Sequence, residues 1–328
     1  MQRGRACGAR GYVRRVRSLV ALFVALPWVV WAVVRTAGFE LGYPLVAAVS
    51  FTPYVALSSP LPVVVGLLLR RWAVAAVAAV AALALGLAMV PRALAGPQGE
   101  ARGPALTVMT FNAWVGRADA RAVLRVAREH DVDVLSLQEL RPELLRRLDR
   151  AGALQAFPSR SADARAGAAG SGLLSRIPLV AVDRAPNAKG HAQPEARLRV
   201  AGAPPVWIKA VHPSPPVSHK SAPFWQGALA ALPGADARGD VEIMAGDFNA
   251  TLDHSELRAL LGRGWVDAAD AVGDGLVWTW PALRRRALPL TIDHVLVDRR
   301  VRVEKVTVVR VPRSDHRALI AELRLPAA

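Results

Sequence analysis

In the second half of the chain, apolar β-prone runs repeatedly stop at a carboxylate, an amide or an imidazole. Asn112 follows LTVMTF, Gln138 and Glu139 follow VDVLSL, His212 follows VWIKAV, and Asp247 and Asn249 follow VEIMAG. Asp293 and His294 interrupt LTIDHVLV, while Asp315 and His316 precede RALIAEL. Ligands of open α/β sheets sit outside strand ends, so acids, amides and imidazoles placed there can converge on one cleft. Such a set offers oxygen ligands to a hard cation and imidazoles for proton transfer. Taken one at a time, each residue also reads as a turn former or a satisfied polar group. The weight lies in their recurrence and order.

The runs that carry these residues imply alternating strands and helices. Strands are expected at 106–111, 132–137, 172–175, 196–200, 206–211, 241–245, 291–297, 303–311 and 318–325. Helices are expected at 118–130, at 142–150 with Pro142 in the first turn, at 221–232, and at 255–261 with Ser255 near the cap. Residues 161–171, rich in Gly, Ala and Ser, read as a loop. About 220 residues with strands joined partly by hairpins and partly by helices suggest an α/β sandwich with mixed sheets.

The first third is different. The chain has 328 residues, a formal net charge of +16 and a mean hydropathy of +0.26. Basic chains invite a nucleic-acid reading, but a basic chain this apolar raises the membrane first. Up to Pro104 there are eleven arginines against only Glu40 and Glu100, so +9 of the +16 lies in the apolar third. Much of the rest fits a compositional bias toward Ala, Arg and Val. Global disorder is excluded by the apolar content, and a disulfide framework by the lone Cys7.

Three uncharged stretches follow the Arg-rich start, giving expected membrane spans at about 18–34, 45–69 and 72–90. The middle one contains Pro44, Pro53, Pro60 and Pro62, which kink or shorten a helix. Arg70 and Arg71 form a turn too short for anything but a hairpin. The positive-inside rule puts the N-terminus and that turn in the cytoplasm and everything after Val90 outside. A signal peptide before a soluble domain, or two spans with reversed sidedness, are the competing arrangements. The division expected is a multi-pass anchor at 1–92, a Gly/Pro-rich linker at 93–104 and a catalytic domain at 105–328.

Read in order, FNAW, SLQE, SGLLSR, KAVHPSPP, AGDFNAT, TIDHVLV and SDHRALI resemble the endonuclease/exonuclease/phosphatase superfamily, which includes type I deoxyribonucleases and neutral sphingomyelinases. The resemblance covers about residues 105–325. It implies a four-layer α/β sandwich with two mixed sheets and hydrolysis of phosphate esters with a divalent metal, Mg²⁺ or in its place Mn²⁺. By resemblance Glu139 is the principal metal ligand, Asn112 a ligand or positioning amide beside it, and Asp315 completes the carboxylate surroundings. Asp247 orients or deprotonates the attacking water, and Asn249 donates to the phosphate. His316, its ring fixed by Asp293, contacts a non-bridging oxygen or acts in acid-base chemistry, and His212 serves as acid for the leaving group. His294 points to the opposite face if its segment is a strand, and is left out of the set.

Ser171 and Ser175 either line the cleft or make structural hydrogen bonds. Trp278 and Trp280, followed by Arg284, Arg285 and Arg286, form an aromatic and basic loop that suits substrate binding or a membrane-facing rim. The function expected is a membrane-anchored phosphodiesterase acting on nucleic acid or a phospholipid head group. The lipid bilayer and the phosphate ester are its partners, with no obligate protein partner. A phosphomonoesterase, or a binding module on the same fold, is the alternative.

Overall fold

The computed structural model describes residues 2–181, 190–282 and 287–328. Two six-stranded sheets form the sandwich. The strands of the first are β1 (Ala105–Asn112), β2 (Val134–Gln138), β3 (Ser159–Asp163), β4 (Ser171–Ser175), β11 (Arg302–Arg310) and β12 (Arg317–Arg324), in the order β11-β12-β1-β2-β4-β3. The second contains β5 (Leu179–Ala181), β6 (Glu195–Leu198), β7 (Val206–Val211), β8 (Val241–Asp247), β9 (Trp265–Asp267) and β10 (Asp293–Asp298), in the order β5-β6-β7-β8-β10-β9. Each sheet is mixed: β1 and β2 pair parallel, as do β7 and β8, and the other neighbours run antiparallel.

The central strands are apolar on both faces because both are covered. On β1, Leu106 and Val108 enter the core between the sheets, while Met109 and Phe111 enter a second core beneath α6 (Ala120–Glu129), α7 (Pro142–Arg150) and α8 (Ala153–Ala156). On β8, Ile243 and Ala245 face the shared core, and Met244 packs with Trp225 of α9 (Ser221–Ala230) and Leu257 of α10 (Ser255–Gly262). The short α11 (Ala268–Ala271) contributes Ala268 and Ala269 to the shared core. The result is the four-layer arrangement expected. Fully burying each such Leu, Ile or Val contributes about 1.5–3 kcal/mol.

The segment read as a loop at 161–171 begins within β3, an edge strand paired with β4. Its polar sequence, SRSAD, has no apolar alternation because much of it is solvent-exposed.

The N-terminal third forms α1 (Gln2–Ala37), α2 (Leu45–Val49), α3 (Thr52–Ser58), α4 (Pro60–Leu68), α5 (Trp72–Met89) and a 3₁₀ turn at Val90–Ala93. Three spans were expected, but among the described residues two helical stretches, Tyr12–Ala37 and Trp72–Ala93, are long and apolar enough to cross a membrane. The middle stretch is broken into three short helices, with Pro53 and Pro60 in the first turns of α3 and α4, where a missing N–H costs nothing. It nevertheless connects the same two ends as its neighbours. At one end His254 Nε2 lies 2.9 Å from the Val46 carbonyl; at the other, the Arg71 guanidinium bonds the Arg14 carbonyl. α4 and α5 pack closely, since a Cβ on Gly66 would come within 3.0 Å of the Ala75 backbone.

The N-terminal third meets the sandwich through polar contacts, most of them buried. Arg35 donates to Asp253 Oδ1 at 2.7 Å, and Arg92 grips both oxygens of Asp253 at 2.9 Å. Glu40 accepts the Ser255 N–H at 2.7 Å, and Tyr54 donates to the Pro289 carbonyl at 2.7 Å. Residues 95–103 are laid along the sandwich, with Gln98 bonded to both backbone groups of Val303 and the Gly103 N–H donating to Leu325.

Candidate active site

The polar strand ends gather on one edge of the sandwich. Asn112 and Gln138 are register partners at the ends of β1 and β2, and Asp247 and Asp293 are partners across β8 and β10. His212 follows β7, Glu139 follows β2, and His316 immediately precedes β12. Glu139 (φ +54°) and Asn249 (φ +48°) both adopt left-handed backbone, which turns the chain sharply as it leaves each strand.

Asp247 is the hub. Its Oδ2 accepts from Asn112 Nδ2 at 2.9 Å, and its Oδ1 accepts the Asn249 N–H at 2.8 Å. His316 Nε2 and His212 Nε2 stand 3.8 and 3.9 Å from the same Oδ2. The Asn112 amide also donates to Glu139 at 3.0 Å, and its carbonyl accepts the Trp114 N–H, so it bridges two carboxylates as a donor. Glu139 additionally accepts the Val115 N–H. The Asn249 side chain donates to the Pro213 carbonyl at 3.0 Å, next to His212.

His316 and Asp293 pair at 2.9 Å through Nδ1. Burial alone would lower the imidazole, but Asp293, followed by Asp247 and Asp315, outweighs it and pushes His316 up to about 10, which makes it a cation. Burial and the neighbouring Asp293 raise Asp247 to about 7. Burial, with His191 and His316 nearby, holds His212 well below the ordinary imidazole range, so that ring is neutral. The two histidines facing Asp247 are thus in opposite charge states.

Asp315 accepts from Trp280 Nε1 at 3.3 Å through Oδ2, which ties the aromatic loop to the site. Its Oδ1, like Oδ1 of Asp293, is buried without a hydrogen-bond partner among the described residues. Ligand atoms of Asp247, Asp293 and His316 lie within 4.8 Å of one another. Two orphaned carboxylate oxygens and an acid raised by burial and by the neighbouring Asp293 mark a site short of positive charge, which fits a divalent cation. Because a hard cation prefers oxygen and the His316 ring is already protonated, the carboxylates rather than the imidazole suit such a cation.

His294 bonds Asp267 at 2.7 Å and the Ala250 carbonyl at 2.8 Å, away from the cluster. Ser175 accepts the Ile177 N–H, a turn contact, and Ser171 Oγ is buried without a hydrogen-bond partner among the described residues. Trp278 stacks beneath Arg317, its ring centre 3.2 Å from the guanidinium carbon. Arg284, Arg285 and Arg286 lie outside the described residues.

Three supporting residues were not foreseen. His191 Nδ1 sits 3.2 Å from His212 Nδ1 and its Nε2 lies 3.0 Å from Ser214 Oγ, so it braces the neutral histidine. Thr279 Oγ1 accepts the N–H groups of Ile292 and Asp293 at 3.2 Å each. Ser314 donates to the Asn112 carbonyl and accepts the His316 N–H. Only Ser314, within the SDH motif, carried a usable signal.

Residues 109–316 match the Endonuclease/Exonuclease/phosphatase family, and the chain belongs to that family. Among solved structures it is similar to an endonuclease/exonuclease/phosphatase from Beutenbergia cavernae, with 22% identity and a TM-score of 0.55 over 69% of this chain and 72% of that one. It is also similar to D. rerio TDP2 complexed with single-strand DNA product, with 15% identity and a TM-score of 0.51 over 67% and 98% of the two chains. A functionally unknown conserved protein from Enterococcus faecalis gives 19% identity and a TM-score of 0.51 over 66% and 99%. No curated protein matches the chain significantly by sequence.

Proposed function

We propose that the protein is a membrane-anchored, divalent-metal-dependent phosphodiesterase that cleaves its substrate by in-line attack of an activated water. The observation that carries this reading is the convergence on Asp247 of Asn112, Asn249, His212 and His316, with Asp293 behind His316. A binding module has no need for a buried carboxylate facing a cationic and a neutral imidazole.

Glu139 and Asp315 would hold the metal, with Asn112 fixing the orientation of Glu139. When bound, the ion neutralises the non-bridging oxygens of the phosphate and the charge on the departing oxygen. Asp247 accepts a hydrogen bond from the attacking water and orients it. The Asn249 side-chain amide turns from Pro213 to the phosphate. His316, the ring that carries a proton, donates to the phosphate or to the leaving oxygen, while Asp293 fixes its tautomer. His212 enters the reaction neutral and steadies the water side of the cleft. The acid role expected for His212 therefore passes to His316.

The two long apolar helices, whose outward faces expose Phe23 (80%) and Val80 (68%), support a membrane anchor. Taking the Arg-rich end as cytoplasmic by the positive-inside rule, the contacts of Arg35 and Arg92 with Asp253 support an extracytoplasmic catalytic domain.

The test is hydrolysis of bis-p-nitrophenyl phosphate by the purified full chain in detergent, stripped with chelator and restored with Mg²⁺ or Mn²⁺. Asp247→Asn and His316→Ala should each lower the rate by about 10²–10⁴-fold. No hydrolysis with either metal, or unchanged rates in both variants, overturns the assignment.

A further inference from the structure

A slot of about 490 Å³ lies where the anchor meets the sandwich, a volume within the range of small-ligand sites. One wall is anchor: Tyr54 and Leu57 of α3, and Gly86 near the end of α5. The other is sandwich: Leu276, Trp278 and Leu290. The slot is unfilled beside Gly86, where an added Cβ would meet nothing within 4 Å.

The rim continues the lipid-facing surface of the anchor. Leu57 is 81% exposed, and on the sandwich side Leu276 and Leu288 are 42% and 49% exposed. At a rim that continues the apolar surface of the anchor, an acyl chain is the abundant apolar partner. The inner wall is shared with the catalytic edge. Trp278 stacks beneath Arg317, the residue after His316. Thr291, also in the wall, stands two residues before Asp293. Trp280, which bonds Asp315, pairs with Leu290 through both backbone hydrogen bonds.

We propose that this slot seats one acyl chain of a membrane phospholipid and so presents the head-group phosphodiester to the catalytic edge, which makes a diacyl phospholipid the substrate. This rests on the phosphodiesterase reading above. It predicts a route from bilayer to site that a soluble diester does not use.

The experiment reconstitutes the full chain into phosphatidylcholine and phosphatidylglycerol vesicles doped with a phosphatidylcholine bearing a photoactivatable group on its acyl chain. Labelled peptides are mapped by mass spectrometry. Label is expected at Leu276 and Trp278 as well as on the outer face of α1. Gly86→Phe, which fills the slot, should abolish the sandwich-side label, leave the α1 label, and lower the ratio of vesicle-phospholipid to bis-p-nitrophenyl phosphate hydrolysis. Leu83→Phe, equally bulky but on an exposed face of α5, should change neither label nor ratio. Absence of sandwich-side label in the wild type, or label and ratio unaltered by Gly86→Phe, overturns the proposal. Failure of the wild type to cleave bis-p-nitrophenyl phosphate at all would instead strike the phosphodiesterase reading, and the labelling would still decide whether the slot holds a chain.

Discussion

Asp293 stands directly opposite Asp247 across the antiparallel β8–β10 pair, and each carboxylate faces a different nitrogen of the same His316 ring. Two buried acids repel, and the imidazolium between them is what makes their proximity tolerable. Asp293→Asn keeps the shape and a hydrogen bond while removing one charge. The His316 ring, held at about 10, should then fall well toward the ordinary imidazole value of about 6.5. We expect phosphodiester hydrolysis to drop about a hundredfold or more, the range for loss of a positioned acid. NMR titration of the ring together with kcat on bis-p-nitrophenyl phosphate checks this; an unmoved titration would show that Asp293 does not hold the charge.

Asp253 couples the N-terminal third to the loop that follows Asp247 and Asn249. It is fully buried and receives two guanidinium groups, Arg35 from the last turn of α1 and Arg92 from the 3₁₀ turn after α5. Truncating one partner of such a cluster strands buried charge, at a cost of about 3–5 kcal/mol. Asp253→Ala should therefore lower the thermal midpoint of the full chain in detergent markedly, and Arg35→Met, which leaves the bidentate Arg92 pair intact, should lower it less. Equal midpoints for Asp253→Ala and wild type would mean that the N-terminal third and the sandwich do not stabilise each other through this cluster.

How far these relationships were legible from sequence depends on how local their cause is. Asn112, Asp247, Asp293 and His316 could be read because each is a polar residue at one end of an apolar run, where that run begins or stops. His294 could be set aside for the same reason, since alternation sends it to the face opposite Asp293. The Arg35–Asp253 contact spans 218 residues, and nothing near either residue signals the other. His191 was invisible because it acts by touching His212 and Ser214, which lie beyond a different strand. The short edge strand β3, and β5 and β9 of three residues each, lack the length for periodicity to show. The middle apolar stretch was long enough to read as a span, but its prolines start new helices rather than kink one, and that choice depends on what α5 and α1 pack against.

Glu40 gives the junction a pH dependence with a definite sign. Burial raises its carboxyl from 4.5 to about 7, with Glu256 adding to the shift, while the Ser255 N–H and Arg258 oppose it. A folded value above the unfolded one means the folded state holds the proton more tightly between the two. Stability from this group is therefore full below about 4.5 and is lost as pH rises through about 7. Glu40→Gln keeps an acceptor for Ser255 and cannot ionise. The gap in thermal midpoint between Glu40→Gln and wild type should widen in favour of the variant from pH 5 to pH 8, about the interval over which the acid ionises. A gap that stays constant across that interval would show that Glu40 does not change ionisation on folding.

Gly246 leaves no room for a side chain directly behind the site. A Cβ placed there would sit 1.8 Å from the Val211 carbonyl oxygen and 2.6 Å from its carbon, both backbone atoms that no side-chain rotation can remove. Val211 and Gly246 are register partners in the parallel β7–β8 pair, and the next residues along are His212 and Asp247. Gly246→Ala must therefore push the two strands apart at the point where they deliver the neutral imidazole and the hub carboxylate. Relief by side-chain repacking is unavailable, so the cost belongs with the large destabilisations, about 3 kcal/mol or more. Thermal unfolding of the full chain should show a large drop in midpoint, and hydrolysis at temperatures where the variant stays folded should still fall because the His212–Asp247 spacing of 3.9 Å is lost. A variant with wild-type midpoint and rate would mean that the strands can separate there without disturbing either residue.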